Sequence, residues 1–513
     1  MRQMSRTHRL PGHFTVTKVL RTVLPLLMAL FLLLATVANA QTETVQLENL
    51  PLSSSMLMAR AIQQGRVLVG GQPLIRLEVP DVSCSPAPCV LPNVNIFPST
   101  APQNETPVVV NLKNHRQLLA GANDSNCANL QGFYNSSDGG TTWSHFCMAN
   151  IASIGLGAGD PAVGYDLKGS AYIAGIDFNG TNLAEVVFQK SKDNGKTWSA
   201  PALAVPNVLG GLTDKEWLQI DTNPKSPHKN TVYISVTQFD SIVDNTQISV
   251  SHSTDGGATW KTVLVDAQQK FPHVDQFSDI AIGADGKVYV TWMRCTKVTG
   301  GNCADTKATF LLSISKDGGN TWSKATKIAT ATLAPDPNHC CFYGALPVTT
   351  HERVSNIPVV GIDNSNGPHK GNLYVAFYNW TGNQMRVMVA TSSNGGKTWK
   401  IKAVGDSKAK NDEFFQWLNV NSKGVVGVTW DDRRHDATNT SYESFAAFSN
   451  NGGVSFGKNI DLSAAPSNPN NDGFGGTFLG DYTGNYWADD TLYNTYTDTS
   501  KGVDQIFLAG YIL

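Results

Sequence analysis

The residues with the most chemistry to offer recur at comparable places along the chain. Glu105, Asp160, Asp214-Lys215-Glu216, Asp279, Glu352-Arg353, Asp412-Glu413 and Asp481-Tyr482 each stand at the start of a short apolar run. Asp177, Asp240, Arg294, Asn379-Trp380, Asp431-Asp432-Arg433-Arg434 and Asp498 stand at the end of the run that follows. If the two runs are neighbouring antiparallel strands, these starts and ends share one face. A ring of ionisable groups there suits a polar ligand, a cation or a pair of catalytic carboxylates. The plainer alternative is that each Asp caps a loop and that Arg433 and Arg434 pair with Asp431, Asp432 and Asp436. Capping alone does not require both signs of charge to recur on one face.

Other chemistries find little support. The histidines, His351 among them, lack metal-ligand spacing, and no nucleophile elbow, P-loop or dinucleotide fingerprint is present. No cofactor is expected. A structural calcium would fit the abundant carboxylates and loop carbonyls, although no EF-hand-type run occurs.

The elements that must position these groups are announced by an octapeptide, Ser-x-Asp-x-Gly-x-Thr-Trp. It recurs at Ser136–Trp143, Ser191–Trp198, Ser253–Trp260, Ser315–Trp322, Ser392–Trp399 and Ser449–Phe456, with Asn394 and Asn451 replacing the Asp in the last two. Asp or Asn bonding to nearby backbone, glycines at positive φ and an indole anchor describe a hairpin turn. Recurrence every ~55–75 residues in a Gly-rich chain predicts stacked sheet units closed into a β-propeller of four-stranded antiparallel blades. First runs begin at Pro107, Pro161, Trp217, Asp279, Ile357, Phe414 and Asp481, which makes seven starts for six octapeptides and favours seven blades over six. The seventh unit has no outer strand of its own, so Asn93–Pro98 is expected to complete it and leave no exposed edge. The octapeptide turns should lie on the face opposite the charged ring.

The octapeptide resembles the Asp-box (BNR repeat) of sialidases and related propellers, and the runs WDDRRHD, FLGDYTG and DKEW resemble exported bacterial propellers of sialidase-like type. The resemblance covers residues 93–513 as architecture. It implies three Arg binding a substrate carboxylate, a Tyr nucleophile primed by Glu, and an Asp acid/base. The positions that could supply them are Arg294, Arg353, Arg433 or Arg434 for the cluster, with Asp431 and Asp481 beside them at the substrate. Tyr482 with Glu352 or Glu413 would form the nucleophile pair, and Asp160 the acid. The Arg-Ile-Pro motif of sialidases is missing; the nearest run is Ile75 to Pro80. Two functions are therefore expected: a secreted glycoside hydrolase acting on terminal acidic sugars at the charged face, or a non-catalytic propeller binding glycan or protein.

Residues 1–40 combine a basic start, the apolar run Val23–Val37 and the small end Ala38-Asn39-Ala40, the pattern of a secretory signal, with residues 41–92 as an N-terminal extension. Cleavage would remove five basic residues and no acidic ones, leaving a net charge near −7. That balance disfavours nucleic acid and anionic membranes as partners. A monomer meeting a glycan or glycoprotein in the periplasm or outside the cell is the expectation. Eight cysteines suit an oxidising compartment. The close pairs are Cys84/Cys89, Cys127/Cys147 and Cys295/Cys303; Cys340 and Cys341 could pair with each other or with Cys295 and Cys303.

Overall fold

The computed structural model describes residues 72, 74, 84–151, 157–178, 184–240, 245–299, 302–303, 306–335, 344–350, 352–405, 408 and 410–513. The expected signal segment, the histidine at 351 and the cysteines at 340 and 341 lie outside them. Runs of β-branched and aromatic residues such as Val232–Asp240 and Leu373–Trp380 form strands buried on both faces, because each sheet is covered by two others. Among the described residues seven antiparallel sheets of four or five strands follow one another in chain order, and a two-stranded hairpin, Val298–Thr299 with Asn302–Cys303, stands apart from them. Their inner strands end, in the second to seventh sheets, with Tyr165, Ile220, Ile282, Ile362, Val420 and Ala488. The result is a seven-bladed propeller of four-stranded blades, and six blades are ruled out. Among the described residues no helix is long and apolar enough to cross a membrane.

The seventh blade closes the ring as expected, with Val94–Asn95 pairing on Gln505–Ile512 (Val94 opposite Leu508). Pairing begins earlier than Asn93, since Cys89–Val90 adds to the same strand with Cys89 opposite Ile512. Leu91, Val94 and Ile96 are buried in one cluster with Leu118, Tyr134 and Leu508, so the closure joins the first and last blades. The three close cysteine pairs are disulfides: Cys84–Cys89, Cys127–Cys147 and Cys295–Cys303. The pairing of Cys295 with Cys303 replaces the alternative in which they reach Cys340 and Cys341.

Each octapeptide links the third strand of a blade to the fourth. In the third blade the Asp255 carboxylate accepts from the Thr259 N–H at 2.9 Å and from its hydroxyl at 2.6 Å, and the Gly257 N–H donates to Ser253 Oγ at 2.8 Å. The Trp260 indole donates to the Gly257 carbonyl at 3.1 Å. These bonds hold the Asp255 carboxyl down at about 2 and keep it charged at neutral pH.

Candidate active site on the propeller axis

The inner strands carry a shared irregularity where the charged residues begin. Register shifts fall between Gly159 and Ala162, Asp214 and Trp217, Gln276 and Asp279, and Phe414 and Trp417. Asp160, Lys215, Phe277 and Phe415, inside those shifts, have φ of 52°, 51°, 63° and 49°. A bulge inserts a residue and re-aims the side chains after it. Non-glycine residues held at positive φ are strained, and such strain clusters at functional sites.

Side chains of the second, third, sixth and seventh blades meet on the axis beside these bulges. Lys215 Nζ lies 3.9 Å from the centroid of the Tyr482 ring and 4.7 Å from that of Trp217. Trp217 meets Trp417 at 4.5 Å and Tyr482 edge-on at 5.6 Å. The Tyr482 hydroxyl donates to the Pro161 carbonyl at 3.0 Å, and the Lys215 N–H donates to Asp160 Oδ2 at 3.2 Å. Burial, then the charges of Glu105, Asp160, Glu216 and Asp481, push the Tyr482 phenol well above its usual range. Glu216 is fully buried, and neither of its carboxylate oxygens has a hydrogen-bond partner among the described residues. Burial, followed by the neighbouring Asp160, pushes its carboxyl far up as well. A buried carboxylate with no partner is expensive, and its retention points to a role.

A second buried group adjoins the first through Asp481. Arg353 grips Asp481 with two bonds, of 3.0 and 2.5 Å. Glu352 accepts from the Leu479 N–H at 2.6 Å through Oε1, and its Oε2 has no partner among the described residues. Arg433, also fully buried, donates to the Pro347 carbonyl at 2.6 Å and sits 3.8 Å from Asp412. Its Nε and Nη2 have no partner among the described residues, and burial lowers its pKa to about 10. Those two nitrogens form the edge of a guanidinium that matches a carboxylate. Asp431 is buried nearby with one oxygen lacking a partner among the described residues, and burial followed by Asp432 raises its pKa strongly.

Several expectations are corrected. The charged groups do not ring an open mouth: Asp160, Lys215, Glu216, Glu352 and Arg433 are inaccessible to solvent. The arginines do not share a target, because each meets its own carboxylate. Arg294 holds Asp275 at 2.6 Å and Asp266 at 2.9 Å, and Arg434 holds Asp432 at 2.5 Å while lying over Phe445. Glu413 is spent on Arg386 of the preceding blade at 2.5 Å, and the charges that weigh most on Tyr482 are those of Glu105, Asp160, Glu216 and Asp481. Tyr482 and Asp160 do come together, with Glu216 and Lys215 as the partners that sequence reasoning did not select. The DKEW and FLGDYTG runs thus meet on the axis.

Among the described residues two clusters outside this centre have the geometry to hold a metal. His435, Glu443 and Asp461 bring ligand atoms within 4.8 Å of one another, but the imidazole already bonds Glu443. Cys127, His145 and Cys147 also cluster, and there the thiols are consumed by a disulfide.

No family model matches the chain. A sialidase from Bacteroides fragilis (strain YCH46) is 23% identical over 331 residues, 58% of this chain and 53% of that protein, so the chain spans about half the length of the curated relative it matches. Among solved structures, the Hadza microbial sialidase Hz136 superposes with a TM-score of 0.43 at 15% identity over 69% of this chain and 66% of its own. A protein of unknown function from Dyadobacter fermentans DSM 18053 gives 0.43 at 16% identity over 69% and 94%. The α-L-arabinanase of Penicillium chrysogenum gives 0.44 at 12% over 69% and 92%. At these scores the superpositions carry no argument about chemistry. The seven-bladed fold and the sequence similarity together fit a sialidase-like propeller family.

Proposed function

We propose that the protein is an exported, sialidase-like glycoside hydrolase whose reacting groups are Tyr482, Glu216 and Asp160. The observation that carries this reading is the meeting of a phenol, a partnerless carboxylate and a second carboxylate at the inner-strand starts of the seventh, third and second blades. In the reaction, the Tyr482 oxygen attacks the anomeric carbon while its proton passes to Glu216, and the bond to the leaving oxygen breaks as Asp160 protonates it. Water then attacks the same carbon, giving a proton to Asp160, and the bond from that carbon to the Tyr482 oxygen breaks as Glu216 returns its proton to Tyr482. The raised basicity of Glu216 suits it to take a phenol proton. Lys215 Nζ, 3.9 Å from the ring centroid, would offset the phenolate charge once the proton has left. Because the cluster is closed to solvent, turnover requires it to open.

A terminal acidic sugar is the proposed substrate. The support is the unpartnered edge of Arg433; with Arg353, Arg294 and Arg434 held by Asp residues, this single fork replaces a cluster of three. The test is hydrolysis of chromogenic sialosides, uronides and neutral glycosides by the exported chain. Turnover of an acidic glycoside, lost in Tyr482→Phe and reduced at least tenfold in kcat/KM in Arg433→Lys, is expected. Arg433→Lys keeps the charge and removes the fork. Turnover confined to neutral glycosides would overturn the substrate, and silence across the panel from a folded protein would overturn the hydrolase in favour of a binding propeller.

A further inference from the structure

The outer edge of the sixth blade is held by less than the edges before it. Its outer strand, Ile460–Asp461, has two residues, against four to seven in the first five blades. Its octapeptide carries Phe456 where the third blade has Trp260, and a phenyl ring cannot make the indole bond to the glycine carbonyl. The segment that follows is tied into the ring closure: Asn93 donates to the Leu462 carbonyl at 2.7 Å and accepts from the Ala464 N–H at 2.7 Å. Three side chains with metal-ligating atoms meet on this edge.

Asp461 stands opposite Phe445 in the sheet, and Glu443, two residues before Phe445, projects to the same face. His435, from the loop after Val426–Asp432, sets its ring edge-on to Phe445 at 5.5 Å. One ligand atom of each of the three lies within 4.8 Å of the others, with His435 Nδ1 3.8 Å from Asp461 Oδ2. Two ligands of a tetrahedral zinc ion stand ~3.4 Å apart at ordinary bond lengths. The Ser463 N–H donates to Asp461 Oδ1 at 2.9 Å, which fixes the carboxylate and leaves Oδ2 facing the imidazole. Two like charges face each other here: burial first, and then the charge of Glu443, raise the pKa of Asp461. The adjacent cation, Arg434, lies over Phe445 and holds Asp432. Nδ1 shares a hydrogen bond with Glu443, and a cation in its place would bind the imidazole and both carboxylates at once. The His435 side chain is 58% exposed, so an ion can enter from solvent and keep water as a further ligand. One imidazole with two carboxylates suits zinc and its transition-series neighbours, whereas calcium takes oxygen ligands.

We propose that His435, Glu443 and Asp461 form a surface site for a divalent transition-metal ion of the zinc type, which ties the short outer strand of the sixth blade to its third strand. The site is separate from the Tyr482 cluster and does not depend on the hydrolase reading. The test is calorimetric titration of the full exported chain with zinc chloride and with calcium chloride, repeated on His435→Ala and Asp461→Asn. Both positions are partly exposed, Asn keeps the acceptor for the Ser463 N–H, and thermal unfolding verifies that each variant remains folded. One zinc ion should bind with Kd of ~100 μM or tighter, at least tenfold more weakly in each variant, and calcium at least tenfold more weakly than zinc. Zinc should also raise the unfolding temperature of the parent chain more than that of either variant. Absence of zinc binding at this limit, an affinity unchanged in either folded variant, or calcium binding as tightly as zinc would overturn the site.

Discussion

Asp279 shows what a single buried charge does to this molecule. It lies at the inner end of a cavity on the propeller axis and accepts from the Val360 N–H at 2.6 Å. Burial raises its pKa to about 7, against 3.8 in the unfolded chain, and Lys215 offsets only part of that. The native state therefore keeps a proton that the unfolded chain releases between about pH 4 and 7. Stability from this group is fully present below pH 4 and is lost as pH rises through 7. Asp279→Asn, which keeps the acceptor and cannot ionise, should stabilise the protein at pH 8 by on the order of 2 kcal/mol and change little at pH 4. Thermal unfolding at the two pH values checks this, and equal shifts at both would contradict it. A register break like the one before Asp279 explains why Glu216 escaped notice in the sequence. Side-chain direction along a strand follows alternation, and the extra residue between Asp214 and Trp217 breaks the count. Tyr482 and Asp160 could be picked by type; which member of Asp214-Lys215-Glu216 joins them could not.

The octapeptide turn was legible down to its hydrogen bonds, because Asp, Gly and Trp each have one strong local preference. Its contact with the neighbouring blade was not. A Cβ on Gly257 would come within 2.3 Å of the buried Phe188 ring in the preceding blade, and one on Gly140 within 2.5 Å of Leu508. The second glycine is therefore needed for close approach between blades as well as for its positive φ. Gly257→Ala should destabilise by several kcal/mol through this clash. Gly395→Ala, at φ 70° with nothing within 4 Å, should cost only the ~1–2 kcal/mol of the backbone. Denaturant unfolding of the two variants separates the effects, and similar losses would contradict the packing role.

At the scale of the whole ring, seven strand starts against six octapeptides already required a strand from elsewhere, which is why the closure could be read before the fold was seen. The state of the axis could not. Trp217 and Trp417 lie just beyond the charged starts, and the bulges turn them into a partition between a buried charged centre and a cavity on the opposite face. Closure by Cys89–Val90 and Val94–Asn95 covers the edge of Gln505–Ile512. A chain shortened to begin at Ser99 would expose that edge, and it should unfold at a lower temperature and aggregate, as followed by light scattering during heating. An unchanged unfolding temperature would show that the ring does not depend on this strand.

The central claim is that Tyr482 attacks the sugar with Glu216 as its base. The most direct measurement is peptide-mapped mass spectrometry of the protein after incubation with fluorinated glycosyl fluorides, acidic and neutral, which slow breakdown of a covalent intermediate. A single glycosyl adduct on Tyr482, formed at least tenfold more slowly in Glu216→Gln, is the predicted result. An adduct on another residue, or hydrolysis that persists in Tyr482→Phe without any adduct, would contradict it.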